Sequence, residues 1–158
     1  ADVICICGMG GALIKRILDA NIEVAKSAKV LILEPQSEYK NLREFLVENG
    51  FVFLDEDLCQ EEGKIYPIMK LYYAQESCVP LSDAELEYGP VVIDKSPDLL
   101  HDLLAKEKAE ITSIMNKLDK MNIKKVTDPI LKRKAELEYK LELINQVEQF
   151  NGGEPWQK

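Results

Sequence analysis

A glycine-rich corner near the start of the chain constrains the fold more than any other feature. The apolar run VICIC at 3–7 is rich in β-branched residues, which is typical of a strand covered on both faces in a parallel sheet. Three glycines follow within 8–11, and ALIKRILDA at 12–20 then repeats apolar residues at helical spacing. Open α/β sheets bind ligands at the carboxyl ends of their strands. The corner CGMGG at 7–11 is therefore a candidate binding site.

The following segments predict a small α/β sheet. KVLILEP at 29–35 reads as a second buried strand, and 39–50 reads as an amphipathic helix ending at a glycine. FVFLDEDLC at 51–59 and KIYPIMKLYYA at 64–74 predict two strands joined as a hairpin by QEEG. The order β-α-β-α-β-β predicts a parallel sheet that ends in an antiparallel hairpin, with right-handed crossovers.

From about residue 97 the apolar period changes, which predicts two long helices. Their narrow apolar seams and dense charges favour an antiparallel coiled-coil hairpin. The predicted divisions are an α/β domain at 1–93, a helical domain at 94–150 and a flexible tail at 151–158. The seams consist of Leu100, Leu104, Ile111, Ile114, Leu118 and Met121 in the first helix, and Ile130, Leu137, Leu141 and Ile144 in the second.

Charge is unevenly distributed, with a net charge of −8 over 1–93 and of zero over 94–158. The total charge therefore decides nothing about a nucleic-acid partner, and local clusters matter more. In an antiparallel pair of helices, seven basic residues would gather at one end. Such a patch suits phosphate contacts with RNA, although an ordinary solvated face of charged helices remains an equal alternative. The seven are Lys117, Lys120, Lys124, Lys125, Lys132, Arg133 and Lys134.

Composition argues against several other classes of protein. No apolar run approaches the roughly 20 residues needed to span a bilayer, so no membrane partner is expected. The four cysteines lack C-x-x-C spacing and there is one histidine, so no metal site is expected either. Thiols scattered through apolar strands fit a reducing cytoplasm. Cys5 and Cys7 are interpreted as packing residues, with Cys7 bordering the candidate site.

Three interpretations of the corner remain open from the residues. It could be a tight turn that binds nothing. It could start a dinucleotide fingerprint, since Gly8-x-Gly10 fits the beginning of that motif and Glu34 ends the next strand near where a ribose-binding acid belongs. It could also follow the fourth strand of a methyltransferase-type sheet and face a substrate base. The hairpin after two further strand–helix units favours this last interpretation, because such sheets typically end with an inserted antiparallel strand.

A family resemblance adds to this interpretation. DVICICGMGG, LILEPQ, LREFLVENGF, DEDLCQEEGKIY and LEYGP, in this order, closely resemble the bacterial tRNA (adenine-22-N1)-methyltransferase family. The resemblance covers nearly the whole chain. It implies an S-adenosylmethionine-dependent enzyme with a Rossmann-like domain and a coiled-coil domain that helps to grip tRNA. A nucleotide- or NAD-binding module and a non-catalytic coiled-coil interaction protein are the alternatives.

The resemblance also implies where the site lies and what this sequence lacks. The chain is expected to begin at the fourth strand, without the loops that hold most of the methyl donor, so that its first strand is left open to self-association. The resemblance implies Gln at position 34, where this chain has Glu, and an acid at position 67, where it has Pro. No general base is evident. The expected substrate and cofactor pocket consists of Cys7, Gly8, Met9, Gly10, Gly11, Glu34 and Pro35.

Overall fold

A computed structural model describes residues 2–74, 79–120 and 128–150. Four strands and seven helices occur in these ranges. The strands are β1 (Val3–Met9), β2 (Val30–Pro35), β3 (Phe51–Glu61) and β4 (Lys64–Tyr73). The helices are α1 (Gly11–Ala20), α2 (Ile22–Ser27), α3 (Tyr39–Glu48), α4 (Asp83–Tyr88), α5 (Pro90–Lys95), α6 (Asp98–Lys120) and α7 (Asp128–Gln149).

The strands form one sheet in the order β1-β2-β4-β3. β1 and β2 are parallel, whereas β4 runs antiparallel to both of its neighbours, β2 and β3. The predicted antiparallel hairpin is therefore confirmed, with its second strand inserted beside β2. β4 pairs with β2 only from Met69 to Leu71, so Pro67 lies beyond that ladder, where its missing N–H costs no bond to β2.

β1 differs from its prediction because this chain covers only one of its faces. Ile4 and Ile6 pack against the core under α1, α2 and α3, whereas Val3 is 54% exposed and Cys5 and Cys7 are also exposed. The physical reason is that the helices contacting the core all lie on the side of Ile4 and Ile6. Among the described residues, β1 is an edge strand rather than an interior one.

Three short helices were missed by the sequence patterns. α2 has 6 residues, too few for a periodic stripe to show. Gly89 alone separates α4 from α5, and Pro90 opens α5. α4 begins with a capping box in which Ser82 Oγ accepts from the Glu85 N–H and the Glu85 carboxylate accepts from the Ser82 N–H.

The two long helices α6 and α7 contact each other and occupy the predicted segments. Ion pairs link them in reverse sequence order, with Lys108 bonded to Glu148 and Asp119 bonded to Lys134. Their seams differ in part from the predicted ones, because Ile114 is 36% exposed whereas Leu143 and Val147 are buried. Met121 lies outside the described residues.

The buried side chains form two clusters. One lies between the sheet and α1–α3 and includes Ile14, Leu33 and Leu46. The other joins Leu58 of β3 to α4, α5, α6 and α7. No helix in the described part of the chain is both long enough and apolar enough to cross a membrane.

Candidate functional site

The glycine corner is formed by the last residues of β1 and the first turn of α1. β1 extends to Met9, and its register against β2 shifts between Cys7 and Met9. Gly8 lies at this irregularity with a φ of +73°, a backbone conformation that side chains with a Cβ disfavour. Apart from its chain neighbours, no described residue has an atom within 4 Å of the place where its Cβ would be. Gly8 is thus required for backbone conformation, and the space beside it is open.

The end of β2 closes this corner through two hydrogen bonds. The Gly8 N–H donates to Glu34 Oε2 at 2.7 Å, and the Gln36 N–H donates to the Met9 carbonyl at 2.9 Å. Pro35 pairs in register with Met9 and is buried. The structure therefore brings all seven predicted pocket residues to the same edge of the sheet, at the carboxyl ends of β1 and β2.

Gly10 and Gly11 serve a second purpose, which is close packing against the loop before α3. A Cβ on Gly11 would lie 2.6 Å from the Ser37 carbonyl oxygen and 2.8 Å from that of Glu38. A Cβ on Gly10 would meet only the Ser37 hydroxyl, at 2.9 Å. Gly11 is therefore needed because backbone approaches backbone, which is part of what the tight-turn interpretation expected.

The first turn of α1 is already supplied with acceptors by the protein itself. The Gly11 N–H donates to the Ser37 carbonyl at 2.9 Å, and the Ala12 N–H donates to Glu38 Oε2 at 3.2 Å. A dinucleotide's pyrophosphate needs such N–H groups at the start of the helix. Here a carbonyl and a carboxylate occupy them, and Glu34 is bonded to Gly8. This geometry disfavours the dinucleotide interpretation.

What the corner leaves exposed is small and mostly uncharged. Met9 is 37% exposed, Gly8 is exposed, and Glu34 is half-buried with its Oε1 atom outside the bond to Gly8. Of the predicted pocket residues, only Gly11 also lines a nearby groove of about 310 Å³ between α1 and α3, which several glutamates surround. We regard the corner as the candidate site because all seven predicted pocket residues meet there, whereas Gly11 alone among them lines the groove.

Cys5 and Cys7 point to the same exposed face of β1, with their sulfur atoms 3.4 Å apart. Partial burial, followed by the hydrogen bond and charge of Cys5 and the charge of Glu34, raises the pKa of the Cys7 thiol. A raised pKa keeps the thiol protonated near neutral pH and makes it a poor nucleophile. This agrees with the interpretation of Cys7 as a residue that does not react, whereas the interpretation of Cys5 and Cys7 as packing residues is wrong, because both are exposed.

The predicted basic patch is only partly described. The end of α6 and the start of α7 are adjacent, because Lys134 bonds to Asp119 at 2.8 Å, while Arg133 pairs with Glu136 at 3.3 Å. Lys117, Lys120 and Lys132 are exposed, and no ion pair is formed by them within the described ranges. Lys124 and Lys125 lie outside the described residues.

The sequence patterns missed a buried ion pair between α3 and β3. Arg43 and Glu56 are each 1% exposed, and Arg43 Nη2 lies 3.1 Å from Glu56 Oε1. Arg43 Nη1 also donates to the carbonyls of Leu86 and Glu87 in α4. One signal was available, since Arg43 follows Tyr39 by four positions on the apolar side of α3.

Comparison with known proteins identifies relatives of the chain. The family model described as tRNA (adenine(22)-N(1))-methyltransferase matches residues 1–146. A curated tRNA (adenine(22)-N(1))-methyltransferase of Bacillus subtilis is 39% identical over 69 residues, which are 44% of this chain and 29% of that protein.

Solved structures extend the likeness over nearly the whole chain. The crystal structure of the Bacillus subtilis M1A22 tRNA methyltransferase TrmK superposes with a TM-score of 0.79 at 26% identity, covering 93% of this chain and 63% of that one. Streptococcus pneumoniae Sp1610 in complex with S-adenosyl-L-methionine gives 0.72 at 26% identity, covering 93% and 60%. The chain thus spans about three fifths of the length of these solved relatives.

Proposed function

Because the chain belongs to the tRNA (adenine(22)-N(1))-methyltransferase family, we propose that it takes part in methyl transfer from S-adenosylmethionine to N1 of an adenine in tRNA. The observation that carries this proposal is the corner itself. It offers an open edge at the ends of β1 and β2, where the N–H groups that would bind a phosphate are already bonded. Such an edge suits a flat base better than a dinucleotide.

The residues present fit the reactive edge of the methyl donor. Open space beside Gly8 leaves room for a ring, and the exposed Met9 thioether offers a polarisable apolar contact to a base or to the donor. When bound, S-adenosylmethionine supplies an electrophilic methyl group on its sulfonium sulfur. Adenine N1 carries its own lone pair, so the chain's contribution is alignment rather than proton removal. Drawing the adenine out of its stack gives N1 access to the corner.

Glu34 holds the corner rather than reacting. Its carboxylate accepts the Gly8 N–H, and the side-chain oxygen of a glutamine, which the family resemblance implies at this position, could accept the same bond. Glu34→Gln should therefore keep the conformation of Gly8 and the rate of transfer, whereas Glu34→Leu should reduce kcat. An equal loss in both variants would show that the charge of Glu34, not its acceptor oxygen, matters.

The test of the activity uses the product of the whole reading frame that encodes this sequence. It is incubated with unmodified tRNA and S-adenosylmethionine labelled in the methyl group, and the tRNA is then digested to nucleosides. We expect labelled N1-methyladenosine, and none from a tRNA in which guanine replaces adenine 22. Absence of labelled N1-methyladenosine from the unaltered tRNA would refute the proposal. Tight calorimetric binding of NAD would instead favour the dinucleotide alternative.

We further propose that α6 and α7 form an antiparallel coiled coil whose shared end contacts tRNA. The reverse-order ion pairs and the burial of Leu104, Ile111, Leu137 and Ile144 support the coiled coil. The domain boundaries at 93/94 and 150/151 remain a prediction. Tyr88, Val92 and Ile93, which come before the first boundary, pack in the cluster formed with α6 and α7.

The tRNA contact is tested by removing the three described lysines that lack an ion pair. Changing Lys117, Lys120 and Lys132 to Gln should weaken tRNA binding and reduce the slope of log affinity against log salt by about 2. Changing Lys15, Lys26 and Lys64 to Gln, on α1, α2 and β4, alters the net charge equally and should have little effect. Equal effects of the two triple variants would support an ordinary solvated face.

We also propose that the protein is cytoplasmic. The free edge of β1 is proposed as a site of self-association between copies of the chain. β1 pairs with β2 alone among the described strands, and Val3 is 54% exposed. Unpaired strand edges tend to add a further strand. Sedimentation should show a concentration-dependent dimer that Val3→Lys weakens, and a monomer at all concentrations would contradict this.

A further inference from the structure

The Arg43–Glu56 pair connects more elements of the fold than any other contact among the described side chains. Arg43 lies on α3 and Glu56 on β3, where Arg43 Nε and Nη2 both lie 3.1 Å from Glu56 Oε1. Arg43 Nη1 donates to the Leu86 carbonyl at 3.0 Å and to the Glu87 carbonyl at 2.8 Å, at the end of α4. The pair therefore ties the sheet and α3 to the end of α4.

Glu56 makes the matching contact on the other side of the α4–α5 junction. Its Oε2 atom accepts the Val91 N–H at 3.1 Å, in the first turn of α5. One buried pair thus bonds to the last carbonyls of α4 and to the first amide of α5. Since two residues separate α5 from α6, the direction in which α6 leaves the sheet depends on this junction.

Gly89 shows how tightly the junction encloses the pair. A Cβ at Gly89 would lie 2.5 Å from Glu56 Oε2 and 2.9 Å from Arg43 Nη2, and its φ is +98°. Glycine is therefore needed for space and for conformation together. LREFL, DEDLC and LEYGP, which carry part of the family resemblance, meet at this point.

Stability alone does not explain a buried ion pair here. Removing both charges from water is costly, and burial raises the pKa of the Glu56 carboxyl against the opposing effect of the Arg43 guanidinium. Apolar side chains of similar volume often replace such pairs without loss of stability. What apolar side chains do not provide is direction, since Arg43 and Glu56 fix angles through four hydrogen bonds and the Nη2–Oε1 ion-pair contact.

We propose that Arg43 and Glu56 are positioning residues that set the orientation of α6 and α7 relative to the sheet, so that tRNA held on the helices presents its adenine to the glycine corner. This rests on the proposed function. Two further contacts join α7 to α4. Lys140 of α7 pairs with Glu87 of α4 at 3.4 Å, and the Tyr139 hydroxyl bonds to Asp83. The side chains in these two contacts are exposed or half-buried, and neither contact includes a residue of the sheet.

The test replaces the pair with apolar side chains, in the double variant Arg43→Met/Glu56→Leu. Orientation is read from the distance between spin labels at Arg16 of α1 and Asn116 of α6, both exposed, after the four native cysteines are changed to serine. Asp55→Asn is the matched control, because it removes the charge of the exposed Lys95–Asp55 pair between the same strand and α5.

We expect the double variant to unfold at or above the original urea midpoint while its label distances broaden and shift, and the control to keep the original distribution. If the double variant retains the original narrow distribution, the pair does not position the helices. If circular dichroism shows that it does not fold, Arg43→Lys takes its place with the same expectation, since lysine keeps the charge but not the planar fork.

Activity separates positioning from folding. With the whole reading frame, the folded double variant should keep its KM for S-adenosylmethionine and lose about 10²-fold in kcat on tRNA, the scale expected when reacting groups are misplaced by about 1 Å. An unchanged kcat would overturn the proposal. If the unsubstituted protein transfers no methyl group, the proposed function fails, and the label distances still decide the positioning.

Discussion

Replacing Gly11 with alanine tests the closest backbone contact at the glycine corner. The new Cβ would lie 2.6 Å from the Ser37 carbonyl oxygen and 2.8 Å from the Glu38 carbonyl oxygen. Both oxygens belong to the backbone of a loop that the Gly11 N–H and the bond from Gln36 to Met9 hold in place. The loop or α1 must therefore move, and the Gly11–Ser37 hydrogen bond is strained or lost.

The expected cost follows from two opposing effects. Inserting a methyl group into a packed site costs about 1–3 kcal/mol. Alanine's better helix propensity returns at most about 1 kcal/mol. We therefore expect Gly11→Ala to lower the free energy of unfolding by about 1–2 kcal/mol. Urea denaturation measures it as a lower midpoint at an unchanged m-value.

A double-variant cycle makes the reasoning refutable. At Gly10 the new Cβ would meet only the Ser37 hydroxyl, so Ser37→Ala should rescue Gly10→Ala but not Gly11→Ala. Gly63→Ala is a control away from Ser37: Gly63 has a φ of +76° and open space, so alanine there costs about 1–2 kcal/mol for the left-handed backbone, and Ser37→Ala should leave that cost unchanged. An original midpoint in Gly11→Ala, or its rescue by Ser37→Ala, would refute the backbone contact.

Three further predictions concern single contacts. Ser82→Ala removes the capping box of α4 and should cost about 1 kcal/mol in urea denaturation, with Ser27→Ala, outside any capping box, nearly neutral. The hydrogen bonds from Lys40 and Tyr139 lower the pKa of Asp83, so its contribution is present above the unfolded pKa and lost as pH falls through the folded one. Asp83→Asn should therefore reduce the fall in the free energy of unfolding between about pH 5 and pH 2, by no more than about 1 kcal/mol because the Lys40–Asp83 pair is exposed. An unchanged pH profile would contradict this contribution of Asp83. Burial raises the pKa of Cys7, so the pH profile of its alkylation, followed by mass spectrometry, should lie at higher pH than that of a free cysteine, and a profile at lower pH would contradict the direction of the shift.

Local patterns were sufficient to predict most of the sheet. The runs at 3–7 and 29–35 and the hairpin from 51 to 74 all form strands, and β4 is antiparallel as expected. These predictions succeeded because each strand can be recognised from its own run of apolar residues. The pairing of β4 with β2 could also be predicted, because the hairpin favoured a methyltransferase-type sheet, and such sheets end with an inserted antiparallel strand.

The coverage of β1 and the short helices could not be predicted in the same way. A continuous apolar run shows that a strand tolerates burial on both faces, but not which elements this chain places there. α4 and α5 have 6 residues each, and their ends are defined by Ser82, Gly89 and the distant pair beneath them. Arg43 and Glu56 are 13 residues apart in sequence, and neither residue type predicts burial until the other is in place.

The glycines of the corner and of the α4–α5 junction acquire their meaning from what approaches them. At Gly11 the approaching group is a backbone carbonyl, and at Gly89 it is a buried carboxylate. At Gly8 no described residue beyond its chain neighbours comes close to the position of a Cβ, although the glycine's φ of +73° is itself demanding. In a corner where the protein itself packs closely against Gly10 and Gly11, the space beside Gly8 is open, which is why we propose it as the place for another molecule. The Glu34 carboxylate accepts the Gly8 N–H and so fixes the backbone beside that space.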